Sequence, residues 1–432
     1  QALSVLLWFL MVFVAFFELA MPLVMHGFAP GFAADPEKFD LAVLLSRITF
    51  PYLVFISLVS LMAGVLNTLG RFAAAAATPI LLNLCLIGAI LGLAPLTASP
   101  AHALAWGVAG AGLVQFVWMF LHCASAGVRL RLIRPRLTPE VRLLVWRILP
   151  VAVGAGVYQI NLLIDTIIAS LLPSGSISYL YFADRVNQLP LGVVGVSVGT
   201  ALLPLLSRQL RGGRGGEAMD SQNRALEFSL LLALPAAAAL MVMATPVIDV
   251  LFRRGAFAVA EVQATSSALA IYATGLPAYV LIKALAPGYF ARGDTKTPIV
   301  VGIAAMAANL ILNLILMGPF LHVGIAMATS ISAWLNAGLL AFVLRKRGFL
   351  DIDSRLRARV GPMILASAGM AAALVLAMWG LEGVWAEGLG SRVVALLGLV
   401  AGGMAVFALL AHVLGAVAPK DVKRLFGGNQ AP

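Results

Sequence analysis

The sequence predicts an all-α polytopic membrane protein with about twelve transmembrane helices, and three observations carry that reading. The 432 residues are 62% hydrophobic and only 11% charged, with a mean hydropathy of +1.01. Soluble domains are about half apolar and a quarter charged. The apolar residues fall into runs of about 20 or more, the length that crosses a hydrocarbon core. The cations gather in the short connections between those runs, so chain length reflects the number of spans and not a number of soluble domains.

Taken in order, the expected spans are 2–27, 41–67, 77–95, 102–124, 146–172, 177–207, 225–251, 262–290, 298–317, 323–344, 360–380 and 393–416. The first run is too long for a signal peptide and lacks a basic leader. The chain opens on Gln1 and not Met, and its natural beginning is expected to lie upstream. The longest connections, 128–145, 208–224 and 345–359, are rich in Arg. With residue 1 on the cytoplasmic side, these loops, Arg71, Arg292, Lys296 and the tail cations Lys420, Lys423 and Arg424 all fall inside. The outer ends keep only Lys38, Arg47, Arg253, Arg254 and Arg392. That asymmetry is the positive-inside signal. It predicts a multi-pass membrane protein with its basic loops in the cytoplasm.

The net charge of +11 is then mostly an orientation signal, helped by attraction to anionic membrane lipids. Nucleic-acid binding has no support, because no extramembrane domain presents a basic face. Cys85 and Cys123 lie inside apolar runs and read as small core residues, with no disulfide framework. The five histidines show no ligand spacing, so neither metal nor cofactor is expected. Glycine-rich phosphate loops and His-Glu-x-x-His are absent from the sequence. The outer loops are too short for a catalytic domain, and the chain reads as a non-enzyme.

An internal echo organises the spans. FPYLVFISLVSLMAGVLNTLGR runs on to TPILLN at 78–83, and LPAYVLIKALAPGYFARGD runs on to TPIVVG at 297–302. Each copy has a Pro-Tyr or Pro-x-Tyr start, a Gly near the inner end (Gly64, Gly288), a turn Gly (Gly70, Gly293) and a Thr-Pro-Ile restart. A weaker echo pairs His102 and Ala105 with His322, Ala326 and Ala328. Spans 2–4 then match spans 8–10 at an offset of six and in the same direction, as parallel repeats do. The expected layout is an incomplete N-lobe at 1–127 (spans 1–4), a basic cytoplasmic linker at 128–145, and a C-lobe at 146–347 (spans 5–10). Two additional helices at 358–417 and a cytoplasmic tail at 418–432 complete it. The two six-helix repeats, the first lacking two upstream spans, are thus followed by two extra C-terminal helices.

Polar residues inside the spans mark the candidate site. A charge at the centre of a membrane helix costs roughly 2.5–3.5 kcal/mol on insertion scales, yet span 6 carries Asp184, Arg185, Asn187 and Gln188. Helical spacing puts Asp184 and Gln188 on one face with Arg185 beside them, and Ser178 on the same wall two turns earlier. Gly192, Gly195 and Gly199 form a small-residue strip for close packing. Two readings stand: a local Asp–Arg pair that neutralises itself, or a polar site inside a helical bundle. Span 5 adds Gln159, Asn161 and Asp165. Asp165 and Asn161 share a face, and an intramembrane acid is either a functional group or a protonated structural one. Glu18 stands alone near Pro22, and Lys283 can snorkel to the interface. Pro51, Pro190, Pro277 and Pro287 either kink their helices for function or are tolerated in a packed bundle.

ITFPYLVFISLVSLMAGVLNTLGRF (48–72), SGSISYLYFADRVNQLP (174–190) and LAPGYFARGDTKTP (285–298) resemble the MurJ/MviN family, the lipid II flippases of bacterial cell-wall synthesis. That family sits within the multidrug/oligosaccharidyl-lipid/polysaccharide exporter superfamily. The resemblance implies fourteen spans, as two six-span lobes and two further helices that form a groove for an isoprenoid tail. It implies movement of an undecaprenyl-pyrophosphate-linked peptidoglycan precursor from the cytoplasmic to the periplasmic leaflet by alternating access. Arg185 would pair with phosphate, since guanidinium matches phosphate geometry, and Asp184 would hold Arg185 in place. Gln188 stands where many members have Glu, and the family's basic first two spans have no match in this sequence. Membrane lipids and cell-wall synthesis proteins are the further partners expected. The rival readings are a drug or polysaccharide-precursor exporter of the same superfamily, a membrane-embedded glycosyltransferase, and a non-transporting scaffold.

Overall fold

Prolines decide where the long apolar runs break and where they hold. The computed structural model describes residues 1–128, 130, 132–385 and 387–417, and among these every regular element is helical. Two compact units, Gln1–Gln159 and Ile160–Pro432, divide inside one helix.

In the first unit the expected span 2–27 is two helices, α1 (Ala2–Leu19) and α2 (Met21–Phe28), separated at Ala20. Pro22 has no N–H to give the carbonyl four residues back. That carbonyl belongs to Glu18, and Arg47 Nε donates to it at 3.2 Å. The next run survives its proline. Pro51 keeps a helical φ of −57° between α3 (Pro36–Thr49) and α4 (Tyr52–Thr68). In α5 (Phe72–Gly92) Pro79 frees the Ala75 carbonyl, and the Thr78 hydroxyl fills it at 2.8 Å. From α6 (Pro100–Ser125), Gln115 Nε2 donates to the Thr78 carbonyl at 2.7 Å and Trp118 Nε1 to that of Ala74 at 3.1 Å. The Ala74, Ala75 and Thr78 carbonyls beside Pro79 thus each accept a side-chain hydrogen bond, which suits a membrane interior. Leu10, Leu58, Val59, Met62, Leu66, Met119 and Cys123 form the buried core of this unit. Helix α7 (Pro139–Ser170) runs across the boundary between the units.

The second unit is built on α11 (Val259–Phe290), which packs against α8 (Ser176–Arg211), α9 (Gly215–Val242) and α12 (Lys296–Lys346). Leu269, Ala273, Leu276, Ala278 and Ala284 of α11 are fully buried. The three alanines among them let the neighbours approach closely. Spans 9 and 10 form α12, joined without a loop at Leu321, whose φ of 51° and ψ of −133° are sparsely allowed for leucine. Gly324 lies at that turn because a Cβ there would sit 2.3 Å from the Leu316 carbonyl oxygen. The additional helices α13 (Ser354–Gly380) and α15 (Leu389–Val413), with the short α14 (Glu382–Trp385) between them, dock on α9 and on α10 (Ala244–Phe252). Ion pairs pin them. Glu227 of α9 receives Arg224, Arg355 and Arg359. Asp249 of α10 receives Arg392 at 2.8 Å and Arg253 at 2.9 Å.

Several expectations need correction. The span 225–251 divides at Met243 into α9 and α10. The Arg-rich segment 208–224 is mostly helix, with only 212–214 between α8 and α9. Helices also enter the other basic segments, since α7 starts at Pro139 and α13 at Ser354. Arginines mark where a helix leaves the hydrocarbon, not where its hydrogen-bond ladder ends. Gly192 is exposed with nothing within 4 Å of a Cβ placed on it, so it is not a packing surface. Gly195, Gly199 and the tail 418–432 lie outside the described environments.

Among the described residues nine helices are long and apolar enough to cross a membrane, Lys296–Lys346 counting once. Helices α7 and α8 add lengths of 32 and 36 residues. The chain is an all-α polytopic membrane protein.

The sequence echo is also an echo in the backbone. After α4, Gly70 (φ 74°) sends its N–H to the Asn67 carbonyl at 3.1 Å, and Arg71 sends its N–H to Leu66 at 2.9 Å. After α11, Gly293 (φ 76°) bonds to Phe290 at 3.0 Å and Asp294 to Tyr289 at 3.1 Å. The pattern recurs at Gly127 and Gly348, which end α6 and α12. Only glycine adopts this left-handed helix end without a Cβ penalty. Gly213, after α8, shares the turn, so the turn alone does not distinguish the two copies from other helix ends.

Candidate substrate site

Three helices of the second unit bring polar groups together. Asp165 lies near the end of α7, where its Oδ1 accepts a 2.6 Å hydrogen bond from Asn313 Nδ2 of α12. The same amide donates its other proton to Asn309 Oδ1 at 3.0 Å. Asn309 Nδ2 donates to Thr329 Oγ1 at 3.4 Å, and the Thr329 hydroxyl donates to the Ile325 carbonyl at 2.8 Å. Tyr279 of α11 closes the chain, its hydroxyl 3.5 Å from the Thr329 carbonyl oxygen. Asn309 and Asn313 are buried, and Asn313 Oδ1 has no hydrogen-bond partner among the described residues. The Leu321 turn makes the assembly possible by folding Asn309 and Asn313 back beside Thr329. One carboxylate among neutral amide, hydroxyl and carbonyl oxygens suits a proton or a hard cation of single charge. Among the described residues no group of three His, Cys, Asp or Glu offers a more highly charged metal site.

Helix α8 carries the second cluster. Gln188 Nε2 donates to Asp184 Oδ2, one turn back. The Arg185 guanidinium lies over the Tyr181 ring, 4.8 Å from its centroid. The two neighbouring charges are thus held by different groups, the acid by an amide and the base by an aromatic face. Arg185, Tyr181 and Ser178 are exposed on one side of the helix, while Asn187 is buried on the other. The cation–π contact holds the guanidinium while leaving its N–H donors available, since the ring face uses the charge and not the protons. Asp184 and Gln188 are partly buried between these faces.

Of the residues expected from sequence, Arg185 and Ser178 share an exposed face, and Asp184 and Gln188 bond to each other. Asp165 enters the buried network, and Asn161 lies one turn before it, partly buried. Gln159 is exposed and falls at the end of the first unit. The sequence reading missed Asn309, Asn313, Thr329 and Tyr181. Two asparagines four apart in the apolar run NLILN were the available signal for the first two.

Long apolar helices interrupted by prolines, with Asp165, Asp184 and Arg185 on two of them, fit a multi-pass membrane transporter. A family profile for the lipid II flippase MurJ matches residues 1–398. The probable lipid II flippase MurJ of Rhizobium meliloti (strain 1021) is 45% identical over 414 residues, covering 94% of this chain and 77% of that protein. A solved lipid II flippase MurJ in an inward closed conformation superposes with a TM-score of 0.77, at 24% identity, over 98% of this chain and 84% of its own. An inward-facing MATE family multidrug transporter of the MOP superfamily superposes at 0.67, with 15% identity and 79% of each chain. The chain belongs to the lipid II flippase MurJ family.

Proposed function

We propose that this protein moves lipid II, the undecaprenyl-pyrophosphate-linked peptidoglycan precursor, from the cytoplasmic to the periplasmic leaflet of the inner membrane by alternating access. Family membership supports the substrate. The observation that carries the site is the exposed Arg185, seated over the Tyr181 ring, with the neighbouring Asp184 carboxylate hydrogen-bonded to Gln188. A guanidinium so placed presents forked donors to a pyrophosphate. Ser178 adds a hydroxyl on the same wall, with Asp184, Asn187, Gln188, Asp165, Asn161 and Gln159 as further polar candidates. The lobes are 1–127 and 146–347, with 358–417 as the additional helices. The segments 128–145, 208–224 and 345–359 face the cytoplasm, as the positive-inside rule requires. The polar head crosses between leaflets in a wet cavity while the isoprenoid tail stays in lipid.

Depletion of the resident flippase in a bacterium tests the reading. Expression of this protein should restore growth and clear lipid II from the inner leaflet. Restored drug efflux without clearance of lipid II would favour the exporter reading instead.

A further inference from the structure

The two copies of the glycine turn share a backbone but differ in charge. In the second unit the turn is self-neutralised. Asp294 follows Gly293, accepts from the Thr297 N–H at 3.0 Å and from the Thr297 hydroxyl at 2.6 Å, and pairs with Arg347. Arg292 is stacked on Phe349 at 4.4 Å. In the first unit Arg71 takes the position of Asp294 after Gly70. Its guanidinium reaches only the Ser125 hydroxyl, at 3.4 Å, and among the described residues no carboxylate lies within 4.0 Å of it.

Arg71 stands at the mouth of a cavity of about 620 Å³ between the ends of α4, α5 and α6. The floor is Leu66, Phe72, Ala74 and Ala77, with Trp118 and His122 as a wall. The alanine run 73–77 leaves the space open, because no side chain there extends beyond Cβ. Trp118 has spent its N–H on the Ala74 carbonyl, so it offers the cavity only its ring. The His122 ring is tilted against that of Trp118, centroids 4.2 Å apart, and its Nδ1 meets the Trp118 carbonyl at 2.9 Å, leaving Nε2 uncommitted among the described residues. The cavity thus combines an apolar floor, an unpaired cation and an uncommitted imidazole nitrogen, without an acid in its lining. It lies at the ends of membrane-crossing helices. Basic pockets between helices at a membrane surface suit anionic lipid heads.

We infer that this cavity is a binding site for an anionic phospholipid, with the phosphate on Arg71 and His122 and an acyl chain along Phe72, Ala77 and Trp118. The equivalent turn of the second unit lacks this free cation, because there Asp294 pairs with Arg347. A lipid there fills the space between α4, α5 and α6.

Brominated phosphatidylglycerol, which quenches nearby indoles, provides the test on the full chain in detergent. Trp118→Phe should remove the saturable component of quenching. Brominated phosphatidylglycerol should bind the wild type about fivefold more tightly than brominated phosphatidylcholine, the effect of one arginine at a membrane surface. Arg71→Gln should erase that preference, and Ala77→Phe, which fills the cavity, should weaken both lipids. Inorganic phosphate at millimolar concentration should not compete. Equal affinities for the two lipids in the wild type would overturn the proposal. So would an unchanged preference in Arg71→Gln, saturable quenching that persists in Trp118→Phe, or full competition by phosphate, which would mark a free-anion site.

Discussion

The carboxylate of Asp165 and the amide of Asn313, 148 residues apart in sequence, meet at 2.6 Å and tie the end of α7 to α12. In a membrane interior neither group has water to replace its partner, so a loss on one side leaves the other unsatisfied. Asn313→Leu should therefore destabilise the protein by about 1–3 kcal/mol. Asp165→Leu combined with Asn313→Leu should cost less than the sum of the single changes. Thermal unfolding of the four proteins of this cycle in detergent checks it. Strict additivity would mean that the hydrogen bond contributes nothing.

The Tyr181 ring positions Arg185. A cation–π contact at an exposed site contributes about 0.5–1 kcal/mol, which predicts a roughly two- to fivefold weaker affinity for lipid II in Tyr181→Leu. Tyr181→Phe should bind as the wild type does, because it keeps the ring. Equal loss in both variants would assign the role to the hydroxyl instead.

Glu227 holds three arginines where α9 meets α13. Its side chain is 8% exposed, so Glu227→Ala leaves several cations facing a void. The expected loss is about 3–5 kcal/mol, the cost of breaking a buried pair. Protease sensitivity within α13 should rise in parallel. A variant of unchanged melting temperature and unchanged proteolysis would remove this cluster from the docking of the additional helices.

Outside the spans, Asp294 has its carboxyl held down to about 2, first by the Thr297 hydroxyl and N–H and then by Arg347. A depressed carboxyl adds stability above its unfolded value near 3.9 and loses it as pH falls through the folded one. The Asp294 contribution should thus be constant at neutral pH and fade between about pH 4 and pH 2. Asp294→Asn should flatten the acid limb of a melting-temperature profile in that window. A parallel shift at every pH would point to lost packing instead.

How much of this was legible in the sequence differs between helices and site. The spans were readable because a bilayer demands long apolar runs, and two of the turns because Gly70 and Gly293 sit before the same Thr-Pro-Ile restart. The break at Ala20 was implicit in Pro22. The continuation of α8 to Arg211 was not readable, since charge reports the membrane surface and is silent about helix ends. Asp165, Asp184 and Arg185 stood out as charges among apolar residues. Their partners divided by distance in sequence. Gln188 is one turn from Asp184, while Asn313 reaches Asp165 only because α12 reverses at Leu321, where a leucine holds the positive-φ position that a glycine would have announced.

The central claim is that Arg185 clamps the pyrophosphate of lipid II. Complementation of a flippase-depleted strain, read beside membrane abundance, tests it most directly. The proposal predicts that Arg185→Ala abolishes complementation at near-normal abundance. Arg185→Lys should impair it severely, because lysine keeps the charge but not the forked donors. Asp184→Asn should be milder, since Asn can still accept from Gln188. A well-expressed and active protein carrying both Asp184→Asn and Arg185→Gln would contradict the claim and leave the two charges as a self-neutralising structural pair.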